Sequence, residues 1–213
     1  MSSKRKAVVK DKWKLKKWYE VLAPDVFSNV PLGQIPADDP SKLLGRTVEA
    51  TLYDLTGDIS QVHVKLKFQI VDVEEGKALT KFKGHELARD YMRSLIRRKS
   101  SKIQAIVDVA TADGYKMRIT GVVLTSYRCK TSQRRAIRKI MSEHLTNVVS
   151  NMTLNDYIAN AIVTNKISNE IAELARKIYP VRRVEIYKTK VLAVPSAPSA
   201  PSTARAEEAV TSS

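Results

Sequence analysis

The stretch HELARDYMRSLIRRKSSKIQAIVDVATADGYKMRITGVVLTSYRCKTSQRRAIRK, His85–Lys139, holds two basic helical patterns around an alternating hairpin. In its first part Leu87, Ala88, Tyr91, Met92, Leu95 and Ile96 recur at helical spacing, while Arg89, Arg93 and Arg97 fall four apart on another face. Ile103, Ala105, Val107 and Val109 then alternate with polar residues, Asp113-Gly114 marks a tight turn, and Met117, Ile119, Gly121 and Val123 alternate back. A second helix follows. It opens at Thr131 or Ser132 as N-cap, turns Ile137, Ile140, Met141, Leu145 and Val148 inward, and leaves Arg134, Arg135, Arg138 and Lys139 clear.

Working outward, the same strand and helix logic repeats upstream. Val48, Ala50 and Leu52 alternate, Thr56-Gly57-Asp58 reads as a turn, and Val62 to Ile70 gives the clearest two-residue period in the chain. A turn at Glu74 to Lys77 leads to a shorter strand through Phe82, which Gly84 is expected to end before the first basic helix. Between Val21 and Leu44, Pro24, Pro31, Pro36 and Pro40 predict a loop. Downstream, helices are expected over Thr153 to Val163 and Ser168 to Tyr179, then a last strand through Val184 and Ile186. The fold class expected is α+β, in three parts: a basic arm over residues 1–20, one core domain over residues 21–192, and a disordered tail over residues 193–213. The tail, rich in Pro, Ala and Ser, cannot bury enough apolar surface to offset its ordering entropy.

Charge narrows the function. With 37 Lys and Arg against 22 Asp and Glu, the 213 residues carry +15 and a pI near 9.9. Such a field attracts nucleic acid or anionic membrane. The apolar runs fall short of the roughly 18 residues of a spanning helix, and MSSKRKAVVKDKWKLKKWYE has no apolar leader region, so a cytoplasmic chain with no membrane partner is expected. The excess is concentrated: residues 1–20 carry +6, Arg89 to Lys102 +5, Arg128 to Lys139 +6 and Arg176 to Lys190 +5, so the remainder is negative. A single basic run is usually a solvated face, but four Arg-rich runs spaced by a β core point to phosphate, which Arg pairs bidentately.

The residues expected to touch RNA are Lys4, Arg5, Lys6, Lys12, Trp13, Lys14, Lys16 and Lys17 in the arm, then Arg93, Arg97, Arg98, Lys99, Arg128, Lys130, Arg134, Arg135, Arg138, Lys139, Arg182 and Arg183. Trp13, Trp18 and Tyr19 stand among the lysines, where rings stack on unpaired bases; the alternative is that Trp18 and Tyr19 anchor the arm to the core. RNA is favoured over DNA because zinc-finger, leucine-zipper and helix-turn-helix patterns are missing. No enzyme is expected. His63, His85 and His144 read as surface or capping residues, Cys129 has no partner base, and the seven glycines form neither phosphate-loop pattern. No metal or cofactor is expected either, and Asp38-Asp39 reads as a turn.

Six segments also carry a resemblance: KKWYEVLAPDVF (Lys16–Phe27), GRTVEATLYDLTGD (Gly45–Asp58), KFKGHELARDYMRSLIRRKSSK (Lys81–Lys102), DVATADGYKMRITG (Asp108–Gly121), QRRAIRKIM (Gln133–Met141) and IYPVRRVEIYKTKVL (Ile178–Leu192). In this order they resemble the S-three-a family, the e-type S-one proteins of the small ribosomal subunit in archaea and eukaryotes. The resemblance covers about Lys10 to Leu192, and the short tail beyond it suggests an archaeal member. It implies an antiparallel, β-barrel-like core flanked by helices. It further implies rRNA binding on the subunit platform near the mRNA exit region and the rRNA 3′ end, with neighbouring platform ribosomal proteins, and mRNA near the exit site, as partners. The competing readings are a free single-stranded nucleic-acid-binding or chromatin protein, and an RNA-modifying enzyme motivated only by the basic surface.

Overall fold

The computed structural model describes residues 12–195. A 3-10 turn at Lys12–Leu15 runs into β1 (Lys17–Leu22), which pairs antiparallel with β2 (Pro31–Ala37). This hairpin corrects the expectation of a loop from Val21 to Leu44. β2 is an edge strand, so the amide hydrogens that Pro31 and Pro36 lack need not all enter a ladder. Two left-handed residues, Ser28 and Asn29, return the chain.

β3 (Thr47–Thr51) leads into α1 (Leu52–Thr56), one helical turn in place of the simple turn expected at Thr56. Its start is capped reciprocally: Asp54 N–H donates to Thr51 Oγ1 at 3.3 Å, and Thr51 N–H donates to Asp54 Oδ2 at 2.9 Å. β4 (Val64–Glu74) then buries Val64, Leu66, Phe68 and Ile70 as its alternation demands. β5 (Lys77–Leu87) returns antiparallel, running straight through Gly84, where the sequence suggested a stop.

The first basic helix is consequently short. His85, Glu86 and Leu87 belong to β5, and α2 covers only Arg89–Leu95, since Ile96 is already extended and Lys99 left-handed. Arg97 and Arg98 therefore lie on a turn, not on the helix face with Arg93. The hairpin β6 (Lys102–Ala110) and β7 (Lys116–Thr125) keeps the expected alternation. Its connection is longer than a two-residue turn, however: Thr111 N–H donates to Tyr115 O at 3.0 Å, and of the Asp113-Gly114 pair only Gly114 has positive φ.

α3 (Thr131–Ser150) buries Ile137, Met141, Leu145 and Val149 at four-residue spacing. Its N-cap is Lys130, whose N–H donates to Gln133 Oε1 at 3.0 Å. α4 (Leu154–Tyr157) passes into a π-turn over Ile158–Val163; α5 (Lys166–Arg176) begins earlier than Ser168, after left-handed Asn165. β8 (Val181–Ala193) is the expected last strand.

All eight strands join one sheet, in the order β2-β1-β5-β8-β7-β6, with β4 and β3 branching from β5. The class is mixed α and β as expected, but the sheet is not closed into a barrel. One side of β5 pairs with β4 along its length. The other is divided: β1 runs parallel over Lys77 to Leu79, and β8 antiparallel over Gly84 to Glu86. A sheet that forks in this way leaves β2, β3 and β6 as edges. Two cores follow from the fork. A small one under the β1–β2 hairpin holds Tyr19, Val21, Ala37, Leu43, Ile70 and Ala78; the large one lies between the sheet and the helices α3, α4 and α5.

Gly121 lets α3 approach β7 closely, since a Cβ there would sit 3.0 Å from Met141 Sδ. Beside it His85 is buried, and its Nε2–H donates to the Ile186 carbonyl at 3.0 Å. Burial holds its pKa down, from 6.5 to about 4. Because the folded pKa is depressed, the unfolded chain takes the proton first as pH falls through 6.5, and folding stability drops until about pH 4. Between pH 7 and pH 5 this costs about 2 kcal/mol. Denaturant midpoints at the two pH values should show that loss, and His85→Gln should flatten the difference.

Candidate nucleic-acid interface

The sheet register brings one end of several strands together. Lys102, where β6 begins, pairs with Leu124 near the end of β7, and Leu124 pairs with Arg183 near the start of β8. The segments preceding or following these points therefore meet at one end of the sheet. Ser101 N–H donates to Thr125 Oγ1 at 3.0 Å, Thr125 N–H to Ser101 O at 3.1 Å, and Cys129 N–H to Ser101 Oγ at 3.2 Å. Ser126 N–H donates to Pro180 O at 3.0 Å, and Tyr179 OH to Arg128 O at 3.3 Å. These bonds fasten together Arg97 to Lys102, Ser126 to Lys130 and the Arg176 to Arg183 turn.

Of the residues that make the fastening, Ser101, Thr125 and Cys129 are buried and Tyr179 is half-buried, while the cations around them face outward. Arg97, Arg98, Lys99, Lys102, Arg128, Lys130, Arg176, Lys177, Arg182 and Arg183 are all exposed, and none of the three segments contains an acid. Tyr127, 69% exposed, stands among them. The α3 N-terminus adds to the field. Its first turn contains no acid, and Arg134 and Arg135 sit where the helix dipole is already positive, an arrangement that disfavours the isolated helix and favours an anion in front of it. Arg134 Nε donates to Cys129 O at 3.2 Å, and Arg138 Nε donates to Gln104 O at 3.0 Å, so both guanidiniums are oriented by backbone carbonyls.

Not every expected cation is equally available. Arg183 Nε donates to the buried Glu185 carboxylate at 2.7 Å, which raises its pKa, and the Tyr91 hydroxyl donates to the same oxygen at 3.2 Å. His63 stacks on Tyr91 with ring centroids 3.7 Å apart, completing a His63, Tyr91, Glu185, Arg183 chain beside the basic end. Arg93 and Lys139 form exposed pairs with Asp90 and Glu143, at 3.9 and 3.8 Å. Lys188, counted in the last basic run, belongs instead to a charge ladder across the sheet: Glu49, Lys67, Glu86, Lys188, with contacts of 3.0, 3.5 and 3.1 Å. Partial burial opposes ionisation of Glu86, but Lys188 and Lys67 outweigh it and hold its carboxyl below the usual range.

Trp13, Lys14, Lys16 and Lys17 are not brought to this end. β1 lies against the Lys77 end of β5, whereas β8 enters beyond Leu87, so the length of β5, roughly 30 Å, separates the two places. Lys12 opens the 3-10 turn before β1, and Lys4, Arg5 and Lys6 lie outside the described residues. The site list from sequence missed Lys102, Tyr127, Arg176 and Lys177. Their charge and ring character were visible, but only the register places them beside Arg97 and Arg128. Among the described residues, no three His, Cys, Asp or Glu side chains converge as for a metal ion, and no helix is long and apolar enough to cross a membrane.

The described residues thus form an α+β scaffold that gathers cations at one end of an open sheet, and comparison with known proteins shows the family it belongs to. Residues 4–195 match the model described as the Ribosomal S3Ae family. The chain belongs to that family, in its archaeal form; the family is one of ribosomal proteins active in translation, not of enzymes. Among similar proteins, "Small ribosomal subunit protein eS1" of Desulfurococcus amylolyticus is 66% identical over 196 residues, covering 92% of each chain. The proteins of the same name from Staphylothermus marinus and Ignicoccus hospitalis are 63% and 60% identical, over 92% of this chain and 92% and 93% of theirs.

Proposed function

We propose that this protein is a structural component of the small ribosomal subunit in the cytoplasm and grips folded rRNA with the basic end of its sheet. The observation that carries this reading is the convergence of three acid-free basic segments on one hydrogen-bonded loop cluster. Arg97, Arg98, Lys99, Arg128, Lys130, Arg134, Arg135 and Arg182 make the central phosphate contacts, with Arg93, Arg138, Lys139 and Arg183 at the margin. The small-subunit assignment is supported by the names of the relatives. The family resemblance supports a position on the platform near the mRNA exit region, with neighbouring ribosomal proteins and exiting mRNA as further partners. Residues 21–192 work as one α+β domain, which Lys17–Glu20 join through β1; the rest of the basic arm over residues 1–20 and the tail over residues 193–213 lie mostly outside the described residues.

Two measurements test the assignment. In a sucrose gradient of cell extract the protein should travel with the small subunit; a protein found only in the free fractions would instead be the single-stranded nucleic-acid-binding or chromatin protein. Binding of the purified protein to small-subunit rRNA should weaken steeply as salt rises, since each neutralised phosphate releases condensed counterion. Salt-insensitive binding would remove the basic end from the account.

A further inference from the structure

The opposite end of the sheet carries a feature that the phosphate grip does not use. Both tryptophans of the chain lie within the segment Trp13 to Trp18, and both are exposed, at 60% and 63%. Leu15 between them is 57% exposed. Large aromatics are seldom left this open, and two so close in sequence mark a contact surface. The local structure explains why they face out. In β1 Tyr19 and Val21 turn into the small core, so strand alternation turns Trp18 to the opposite side, across from Pro36 of β2. Tyr19 thus does the anchoring, and Trp18 is spared for another role. Trp13 is positioned by its own turn, in which Lys16 N–H donates to Trp13 O at 3.1 Å.

The charge around the rings identifies the occupant. Lys14, Lys16 and Lys17 alternate with them, there is no acid from Lys12 to Tyr19, and Lys16 Nζ stands 3.9 Å from the centroid of a Trp13 ring. The cores of protein interfaces are enriched in Trp but depleted of Lys, so a protein partner would have to desolvate these ammonium groups. Surfaces for single-stranded nucleic acid combine the same two ingredients, cations along the backbone and aromatic faces for the bases.

We propose that Trp13 and Trp18, with Lys14, Lys16 and Lys17, form a stacking platform for unpaired bases of single-stranded RNA, a second site at the far end of the sheet from the phosphate grip. The choice of RNA rests on the reading above; the separate location and the requirement for unpaired bases do not. A duplex, whose bases are already stacked on one another, engages the basic end but not the platform.

Tryptophan emission, excited at the red edge where tyrosine does not absorb, tests this directly, because both tryptophans of the chain belong to the platform. A short oligoadenylate should quench the emission of the full-length protein and of each single-tryptophan variant, Trp13→Phe and Trp18→Phe, whereas an RNA hairpin of equal charge should bind without quenching. The Trp13→Leu/Trp18→Leu double variant should lose oligoadenylate affinity by about fivefold or more. It should keep hairpin affinity and the parent unfolding midpoint, since both side chains are exposed. Oligoadenylate binding without quenching, or at unchanged affinity in the double variant, overturns the platform and leaves the phosphate grip standing. Quenching produced only by another ribosomal protein overturns it in favour of a protein contact. If neither RNA binds, the platform and the RNA reading on which it rests fall together.

Discussion

Replacing Gly84 by Ala is expected to cost about 3 kcal/mol, far more than one methyl group normally does. Gly84 lies in β5 opposite Lys190 of β8, and a Cβ there would overlap the Thr189 carbonyl oxygen, a backbone atom that cannot swing aside. β5 is also the strand that the whole sheet shares: it pairs with β4 on one side and with β1 and β8 on the other. Pushing β8 away from β5 separates the β6–β7–β8 half of the sheet from the β1–β5 half and disturbs His85, whose ring reaches Ile186 across the same junction. The thermal midpoint should fall by roughly 6 to 12 °C. Gly76→Ala is the comparison. Gly76 also has positive φ, +86°, but nothing lies within 4 Å of an added Cβ, so only backbone strain of about 1 kcal/mol is expected. Equal midpoints for the two variants would show that the β5–β8 junction is not tight.

The second large effect concerns RNA. The triple variant Arg97→Ala/Arg98→Ala/Arg128→Ala should bind small-subunit rRNA about a hundredfold more weakly at ~0.1 M salt, and the slope of log K against log salt should become shallower by about two to three. These side chains are exposed and the fastening bonds between their segments run through Ser101, Thr125 and Tyr179, so the fold should be retained. The control removes the same charge elsewhere: Lys77→Ala/Lys81→Ala/Lys116→Ala, three exposed lysines on strands away from the loop cluster. If charge alone governed binding, the two triple variants would be equally weak. If the arrangement governs it, the control should lose much less, through the general field only.

How much of this could be read in the sequence depended on whether the deciding interaction was local. α3 was legible because Ile137, Met141 and Leu145 repeat at helical spacing over a long segment, and β4 because its alternation is nearly unbroken. The β1–β2 hairpin was not, because prolines that would end a central strand are accommodated at an edge, and whether a strand is an edge is a property of the sheet. The helix after Gly84 was overestimated for a related reason. HELARDYM satisfies a helical pattern, but His85 and Leu87 bury more by continuing β5 between β4 and β8, so tertiary pairing overrode local preference. The open sheet was equally hidden: alternation identifies strands but not which strand two others will share.

The candidate site divides in the same way. Its chemistry, runs of Arg and Lys without acid, was visible residue by residue. Its assembly was not, since Arg97, Arg128 and Arg182 come together through the register of β6, β7 and β8 and through Ser101 and Thr125. Lys188 looked equivalent to them and is instead taken up by Glu86. Trp13 to Lys17 and the basic end, which composition alone would merge into one positive surface, lie at opposite ends of β5, and the two proposals, for unpaired bases at one end and phosphates at the other, rest on that separation.

The most direct test of the central claim is ultraviolet crosslinking of intact small subunits followed by identification of the peptides of this protein that carry rRNA. The account predicts crosslinks on the peptides holding Arg97 to Lys102 and Ser126 to Lys130, with Tyr127 among the attached residues. Crosslinks confined to the Glu49, Lys67, Glu86, Lys188 face, with both loop peptides unmodified, would contradict it.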